Sequence, residues 1–368
     1  AGLISLRSVV RFHFPLPKKM KKTSLQLFST IIFLLVCDFF IGEYLLKLTP
    51  KKINPTVNHN IYDHDLKKNF QATFEWAPGK KYIFCTDQNS FRTFCNEKKN
   101  NQKFFDIVFI GDSFTQGVGL EYNKTFVGKI TKNLDELKVA NLGVVSYSPL
   151  IYYTKLKYLI DNGYSFDRAI IYFDISDIYD DNRKYRFIDG KIYRKKSVFI
   201  SKTQKFLKSS FPFLAYSTKT IKNDFFTKIY KKQKVVKSCN NLSYCHEKSS
   251  WTFNDKYFKE KHINKSLKFL ELTHDLLNKN NIKMSIGIYP WPTQILHDKE
   301  DSKLVLLMKN FCLDKCEFFF NNFPDFFEKI ENNNRNAIIS KYYFKGDVHY
   351  NAEGNDILFK NFIRSFKN

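Results

Sequence analysis

The chain has 368 residues, 43% of them hydrophobic and 17% aromatic, enough to bury one large core or two modest ones, which excludes disorder as a description of most of it. Sixty Lys and Arg against 36 Asp and Glu give a formal net charge of +24, a balance that raises nucleic acid or an anionic surface as partner. The charge is scattered in doublets such as Lys195-Lys196 and Lys231-Lys232, however, and no RRM, KH, zinc-finger or helix-turn-helix signature accompanies it, so nucleic acid is not an expected partner.

The first predicted element is the apolar stretch Leu25 to Leu46, read as a membrane-spanning signal anchor. Lys18, Lys19, Lys21 and Lys22 precede it and favour a cytoplasmic N-terminus with the remainder exported. Asp38 and Glu43 interrupt the stretch, and the run from Leu27 to Cys37 is nearer in length to a signal-peptide core than to a full span. Both acids lie towards the outer end, no small-x-small cleavage site follows, and Leu34-Leu35-Val36-Cys37 is a poor lipoprotein signal, so retention is expected over cleavage. Residues 1–24 read as a cytoplasmic or upstream segment; Ala1 to Lys19 precede a candidate start at Met20 and carry no assigned role.

Residues 51–103 lack helical periodicity and contain Trp76-Ala77-Pro78-Gly79; they read as a β-rich or irregular lead-in pinned by Cys85 and Cys95. Beyond Cys37 the cysteines fall in close pairs, Cys85 with Cys95, Cys239 with Cys245 and Cys312 with Cys316, which suits an oxidising compartment and nearest-neighbour disulfides. A zinc reading is poorer, because no pair has C-x2-C spacing and His246 is the only obvious histidine partner.

From residue 104 to 368 strands and helices alternate. Phe105 to Ile110 is a short β-rich run ending at Gly111, followed by a helical stretch from about Phe126 to Leu137. Val139 to Leu142 is the next strand, with a helix near Leu150 to Asp161, and Ala169 to Phe173 is a nearly continuous apolar run of the kind buried on both faces of a parallel sheet. After an insertion at about 178–262, expected to cap the sheet's edge, a helix from Asn264 to Asn280 leads into the strand Met284 to Tyr289. A helix near Lys303 to Phe311, a strand about Glu317 to Phe320 and a final helix from Ala352 to Phe366 complete the set. The alternation predicts a three-layer, flavodoxin-like α/β domain, whose ligands bind at the carboxyl ends of the parallel strands.

Five motifs stand out, four of them at those strand ends. Gly111-Asp112-Ser113-Phe114 stands where the first strand stops and a helix begins; alone it reads as well as an N-cap as a nucleophile. Gly346-Asp347-Val348-His349-Tyr350-Asn351 precedes the last helix, and an acid two residues before a histidine can orient the imidazole to take a proton from a serine. Asn141-Leu142-Gly143 ends the second strand, where glycine either closes an ordinary turn or lets a backbone N–H approach an oxyanion. Phe173-Asp174-Ile175-Ser176-Asp177 ends the third, and Tyr289-Pro290-Trp291-Pro292 follows the fourth, either as a rigid loop or as an aromatic platform for sugar rings.

In this order and at these positions the segments resemble the SGNH/GDSL hydrolase superfamily over about Phe105 to Asn368, the insertion excepted. The resemblance implies Ser113 as nucleophile, Asp347 and His349 as its partners, and Gly143 with the Ser113 N–H as oxyanion donors. Where the family usually has Gly-x-Asn-Asp this chain has Asp174-Ile175-Ser176-Asp177, so Ser176 stands in place of the asparagine amide, a loss that typically costs about a hundredfold to a thousandfold in turnover. A membrane-tethered domain of this type looks like those associated with surface polysaccharides, including relatives of alginate O-acetyltransferases.

The reading is therefore a single-pass protein of a bacterial inner membrane with a periplasmic or extracytoplasmic domain. It would act as an esterase or acyltransferase on O-acyl, chiefly acetyl, groups of a surface glycan through a Ser113 acyl-enzyme. Tyr289 and Trp291 are its candidate sugar contacts, and no metal or organic cofactor is required. A glycan-binding or scaffold protein that keeps the fold without turnover is the alternative; a binder of anionic polymers would need the positive charge concentrated in a stripe.

Overall fold

The computed structural model describes residues 18–45, 53–77, 80–96, 102–195, 210–214, 216–217, 248–330 and 334–367. The chain forms two compact units, one from residues 1–52 and 197–234, the other from 53–196 and 235–368.

In the first unit, helix α1 (Lys18–Phe40) continues into a π-helical turn at Ile41–Leu45. Its part Lys22–Phe40 has a mean hydropathy of 1.8 with none of it buried against protein, so by length and composition it can cross a membrane or act as a signal sequence. Asp38 lies near its end, where Asp38 Oδ1 accepts the Leu214 N–H at 2.6 Å. A Cβ on Gly42 would stand 2.5 Å from the Pro212 ring, so only glycine admits that approach. By the same division, stretch 197–234 of the insertion at 178–262 falls in the first unit and its remainder in the second. Cys239 and Cys245 lie outside the described residues.

The second unit is α/β. Its strands are β1 (Thr56–His59), β2 (Asp63–Leu66), β3 (Gln71–Ala77), β4 (Lys80–Thr86), β5 (Arg92–Thr93), β6 (Phe104–Gly111), β7 (Val139–Asn141), β8 (Ser165–Tyr172), β9 (Tyr185–Ile188), β10 (Lys191–Arg194), β11 (Lys283–Ile288) and β12 (Phe319–Asn321). Its helices are α2 (Ser113–Gln116), α3 (Phe126–Asn133), α4 (Pro149–Asp161), α5 (Asp177–Arg183), α6 (Glu260–Lys279), α7 (Pro292–His297), α8 (Lys303–Cys312), α9 (Phe323–Phe327), α10 (Arg335–Tyr342) and α11 (Ala352–Lys367).

The main sheet runs β12-β11-β8-β6-β7-β5-β4-β3. The first five strands are parallel, and their chain order, read from β7, is 2-1-3-4-5, the flavodoxin-like arrangement. Ile107 to Ile110 of β6 and Ala169 to Tyr172 of β8 are wholly buried, as strands covered on both faces must be. Helices α4, α5 and α6 pack together and α3 packs with α11, giving the outer layers. Because β7 and β8 flank β6 on opposite sides, the chain reverses there and a crevice opens at the carboxyl ends of β6 and β8.

The lead-in extends this sheet. Strands β5, β4 and β3 continue it antiparallel beyond β7. A disulfide joins Cys85 of β4 to Cys95 just past β5, and a second joins Cys312 to Cys316. Fully buried Lys155 of α4 holds Asp65 of β2 at 2.9 Å. Removing either member would strand the other charge, a change that typically costs about 3–5 kcal/mol.

Candidate active site

The strand β6 ends at Gly111, where an added Cβ would lie 2.1 Å from Thr115 Oγ1, so the chain can fold back tightly into α2 only with glycine there. Asp112 caps that short helix, its Oδ1 accepting the Phe114 N–H at 2.9 Å, and Gly117 closes it at φ +75°. Ser113 is therefore held at the first helical position, at the carboxyl edge of the sheet, with its amide lacking an intrahelical acceptor.

The loop before α11 brings the acid and the imidazole to it. Phe344 N–H donates to His349 O and Asp347 N–H to Phe344 O, closing a tight loop through Gly346 at φ +73°. Within it the Asp347 carboxylate accepts the His349 backbone N–H at 3.1 Å and lies 2.6 Å from His349 Nδ1. His349 Nε2 is 2.8 Å from Ser113 Oγ. With the ring proton on Nδ1 facing the carboxylate, Nε2 is left to accept from the serine hydroxyl. Burial alone would raise the Asp347 pKa, but the hydrogen bonds and charge of His349 outweigh it and hold that carboxyl below its usual range. Ser113, Asp347 and His349, named from sequence, are thus brought into one hydrogen-bonded chain.

A fourth residue joins them from the lead-in. Trp76 at the end of β3 donates its indole N–H to Asp347 Oδ2 at 3.0 Å, and its ring stands edge-on to His349 at 5.4 Å. Gly119 at φ +81° makes room, since a Cβ there would lie 2.9 Å from the indole. Trp76 remains 38% exposed. Sequence reading assigned it no role; the only signal was a lone tryptophan before Pro-Gly in a segment without periodicity.

The expected sugar platform is corrected. Tyr289 is wholly buried and Trp291 only 5% exposed, because both rings pack on Phe114, at 4.7 and 6.1 Å, and their polar tips are spent inward. Tyr289 OH donates to Asp112 Oδ1 at 3.3 Å and Trp291 Nε1 donates to Asp174 Oδ2 at 2.6 Å. Between them, Pro290 O accepts from Tyr343 and Tyr350, so the loop braces the histidine segment from beneath.

Two of the three expected oxyanion donors, Gly143 and Ser176, already have internal acceptors. Gly143 N–H donates to Asn141 Oδ1 at 2.9 Å, since a buried amide takes the nearest acceptor. The glycine is required because a Cβ would lie 2.7 Å from the Gln116 backbone nitrogen. Ser176 turns to Asp174, which accepts both its backbone N–H, at 2.8 Å, and its hydroxyl. In this arrangement the Ser113 amide is the expected donor that stays unclaimed by a side chain.

Beneath the serine, Asp112, Asp174 and Asp177 place carboxylate oxygens within 4.8 Å of one another, all buried. Burial, reinforced for Asp112 and Asp177 by the neighbouring acids, pushes all three carboxyls above the usual range. Ser113 Oγ also lies 3.2 Å from Asp112 Oδ2.

No protein-family model and no curated protein matches the chain. Among solved structures it is similar to a lipolytic protein of the G-D-S-L family from Veillonella parvula, at 13% identity over 71% of this chain and 98% of that one, with a TM-score of 0.40. It is similar also to the psychrotrophic esterase EstA from Pseudoalteromonas sp., at 10% identity over 72% and 97%, with a TM-score of 0.39. A catalytic mutant of an acetylxylan esterase from Geobacillus stearothermophilus gives 11% identity over 71% and 93%, with a TM-score of 0.42.

Proposed function

We propose that the chain is an SGNH/GDSL-type serine esterase or acyltransferase, acting on acyl esters, chiefly acetyl, of a cell-surface glycan from the outer side of a membrane. The observation that carries the reading is the hydrogen-bonded chain from Trp76 through Asp347 and His349 to Ser113 at the sheet's switch point. In it Ser113 Oγ attacks the ester carbonyl while His349 Nε2 takes its proton; the Ser113 N–H receives the oxyanion; and His349 returns the proton to the departing sugar oxygen. Water or a second hydroxyl then releases the acyl group by the same route in reverse. The exposed face of Trp76 is the aromatic surface offered to the sugar, in place of Tyr289 and Trp291.

Helix α1, with Lys18 to Lys22 on the cytoplasmic side, would hold the domain at the outer face of a bacterial inner membrane, and the Cys85–Cys95 and Cys312–Cys316 disulfides suit that compartment. A second reading, a glycan-binding scaffold without turnover, is favoured by one observation: Gly143 N–H and Ser176 are both committed to internal acceptors. Release of acetate from acetylated xylan, with and without a second glycan as acceptor, tests the proposal. Acetate release or transfer, lost in Ser113→Ala, supports it; an inert protein that still binds the polymer supports the scaffold.

A further inference from the structure

Asp38 is the only acid in α1, and a carboxylate is among the costliest side chains for a membrane-crossing helix to carry. It is met by a distant part of the chain: Asp38 Oδ1 accepts the Leu214 N–H at 2.6 Å. Four residues further on, Gly42 lets the same stretch come close, since a Cβ there would stand 2.5 Å from the Pro212 ring and 2.8 Å from the Phe213 nitrogen. Pro212 to Leu214, Tyr216 and Ser217 are helical, with the Ser217 hydroxyl donating to Phe213 O at 2.9 Å. Pro212 is buried in this contact, whereas Phe213, Leu214 and Tyr216 are 38%, 56% and 51% exposed. The sequence around them, from Lys205 to Lys222, carries Lys205, Lys208, Lys219 and Lys222 and no acid.

The depth of the exposed stretch follows from the helix rise. Asp38 stands 16 residues beyond Lys22, about 24 Å along the axis, so Leu214 is held near the far boundary of a hydrocarbon layer about 30 Å thick that begins at the lysines. We propose that Phe213, Leu214 and Tyr216 form a second membrane contact, lying in the outer interface of the bilayer that α1 crosses, with the lysines of the flanking sequence matched to anionic headgroups. The proposal rests on α1 being a retained span. Lipid is the occupant because the stretch is pinned to the span where the hydrocarbon ends, and aromatic rings among lysines without acids are the composition this depth favours.

The test is fluorescence quenching by spin-labelled phospholipids, on the full chain reconstituted into vesicles of phosphatidylethanolamine and phosphatidylglycerol. Phe213→Trp and, within α1, Ile32→Trp are each read against the unsubstituted chain, whose Trp76, Trp251 and Trp291 set the background. The Phe213→Trp signal should be quenched about threefold more strongly by a nitroxide near the headgroup than by one at the bilayer centre, and the Ile32→Trp signal in the reverse order. Adding Gly42→Val, which forces Pro212 away, should cut the Phe213→Trp quenching about twofold and leave that of Ile32→Trp unchanged. Quenching of Ile32→Trp beside an unquenched Phe213→Trp would overturn the second contact and leave the span standing. Shielding of Phe213→Trp only at high protein density would give the surface to a second copy, and quenching indifferent to Gly42→Val would detach it from the span; either overturns the proposal. An unquenched Ile32→Trp would remove the span itself and the second contact with it.

Discussion

Trp76 donates its indole N–H to Asp347 at 3.0 Å, and so ties the outermost strand of the sheet to the acid of the proposed catalytic chain. The bond fixes the carboxylate oxygen that His349 does not use, leaving Oδ1 aligned with Nδ1. Replacing Trp76 with Phe keeps a ring and deletes the donor. The expected result is a fall in kcat of about fivefold, the equivalent of ~1 kcal/mol for a half-exposed bond to a carboxylate, with KM for a small acetate ester unchanged. Trp76→Ala should in addition raise KM for an acetylated oligosaccharide. Steady-state kinetics on both substrates separates the two effects.

Ser113 and His349 act as one unit, so their losses should not add. Ser113→Ala and His349→Ala are each expected to lower kcat on the order of 10⁴-fold or more, and the double variant should be no worse than either single. Additive losses, measured with the same ester, would contradict a shared proton transfer.

The two disulfides among the described residues differ in their distance from the site along the structure. Cys85 lies in β4, which pairs with both β3 and β5, so its bond to Cys95 secures the strand that carries Trp76. Cys85→Ser/Cys95→Ser should lower unfolding free energy by about 2–4 kcal/mol and reduce esterase activity in the same direction as Trp76→Phe. Cys312→Ser/Cys316→Ser removes a bond at the end of α8 and should leave kcat intact. Denaturant melts alongside activity assays distinguish the pairs.

Asp181 provides a pH prediction. Burial pushes its carboxyl up to about 7, although hydrogen bonds from Ser148, Ser266 and the Leu150 amide oppose the rise. A carboxyl whose folded pKa exceeds its unfolded value near 3.8 binds its proton more tightly when folded. Its contribution to stability is therefore complete below about pH 4 and is lost as pH rises through about 7. Relative to Asp181→Asn, the wild type should lose up to about 4 kcal/mol of stability between those limits. Unfolding curves at pH 4 and pH 8 check it; a difference independent of pH would contradict the assignment.

The strands β6, β8 and β11 were legible because strands buried on both faces are nearly continuous apolar runs, and the turns that follow them carry Gly111, Asp174 and the Pro290 loop. The meeting of Ser113, Asp347 and His349 was legible because two of them sit two positions apart and the third follows a strand. Trp76 was not, because its contact with Asp347 joins positions 271 residues apart through antiparallel pairing that no local pattern encodes. Tyr289 and Trp291 misled for the reverse reason: their sequence position at the catalytic edge was informative, but whether a ring faces solvent depends on Phe114, which packs against both. Gly143 misled because close approach to the Gln116 backbone and exposure to a ligand both demand glycine. The helix over Phe126 to Leu137 stops at Asn133, with Leu134 closing it through a bond to Ile130 O, and α10 was missed because its residues show no amphipathic period.

The most direct measurement is intact-mass analysis of the chain after treatment with a fluorophosphonate, beside Ser113→Ala and His349→Ala treated in the same way. A single adduct on the wild type, mapped to Ser113, absent from Ser113→Ala and strongly slowed in His349→Ala, is the result this account predicts. No adduct on a folded wild-type protein, or one that forms equally on Ser113→Ala, would contradict an activated serine at this site.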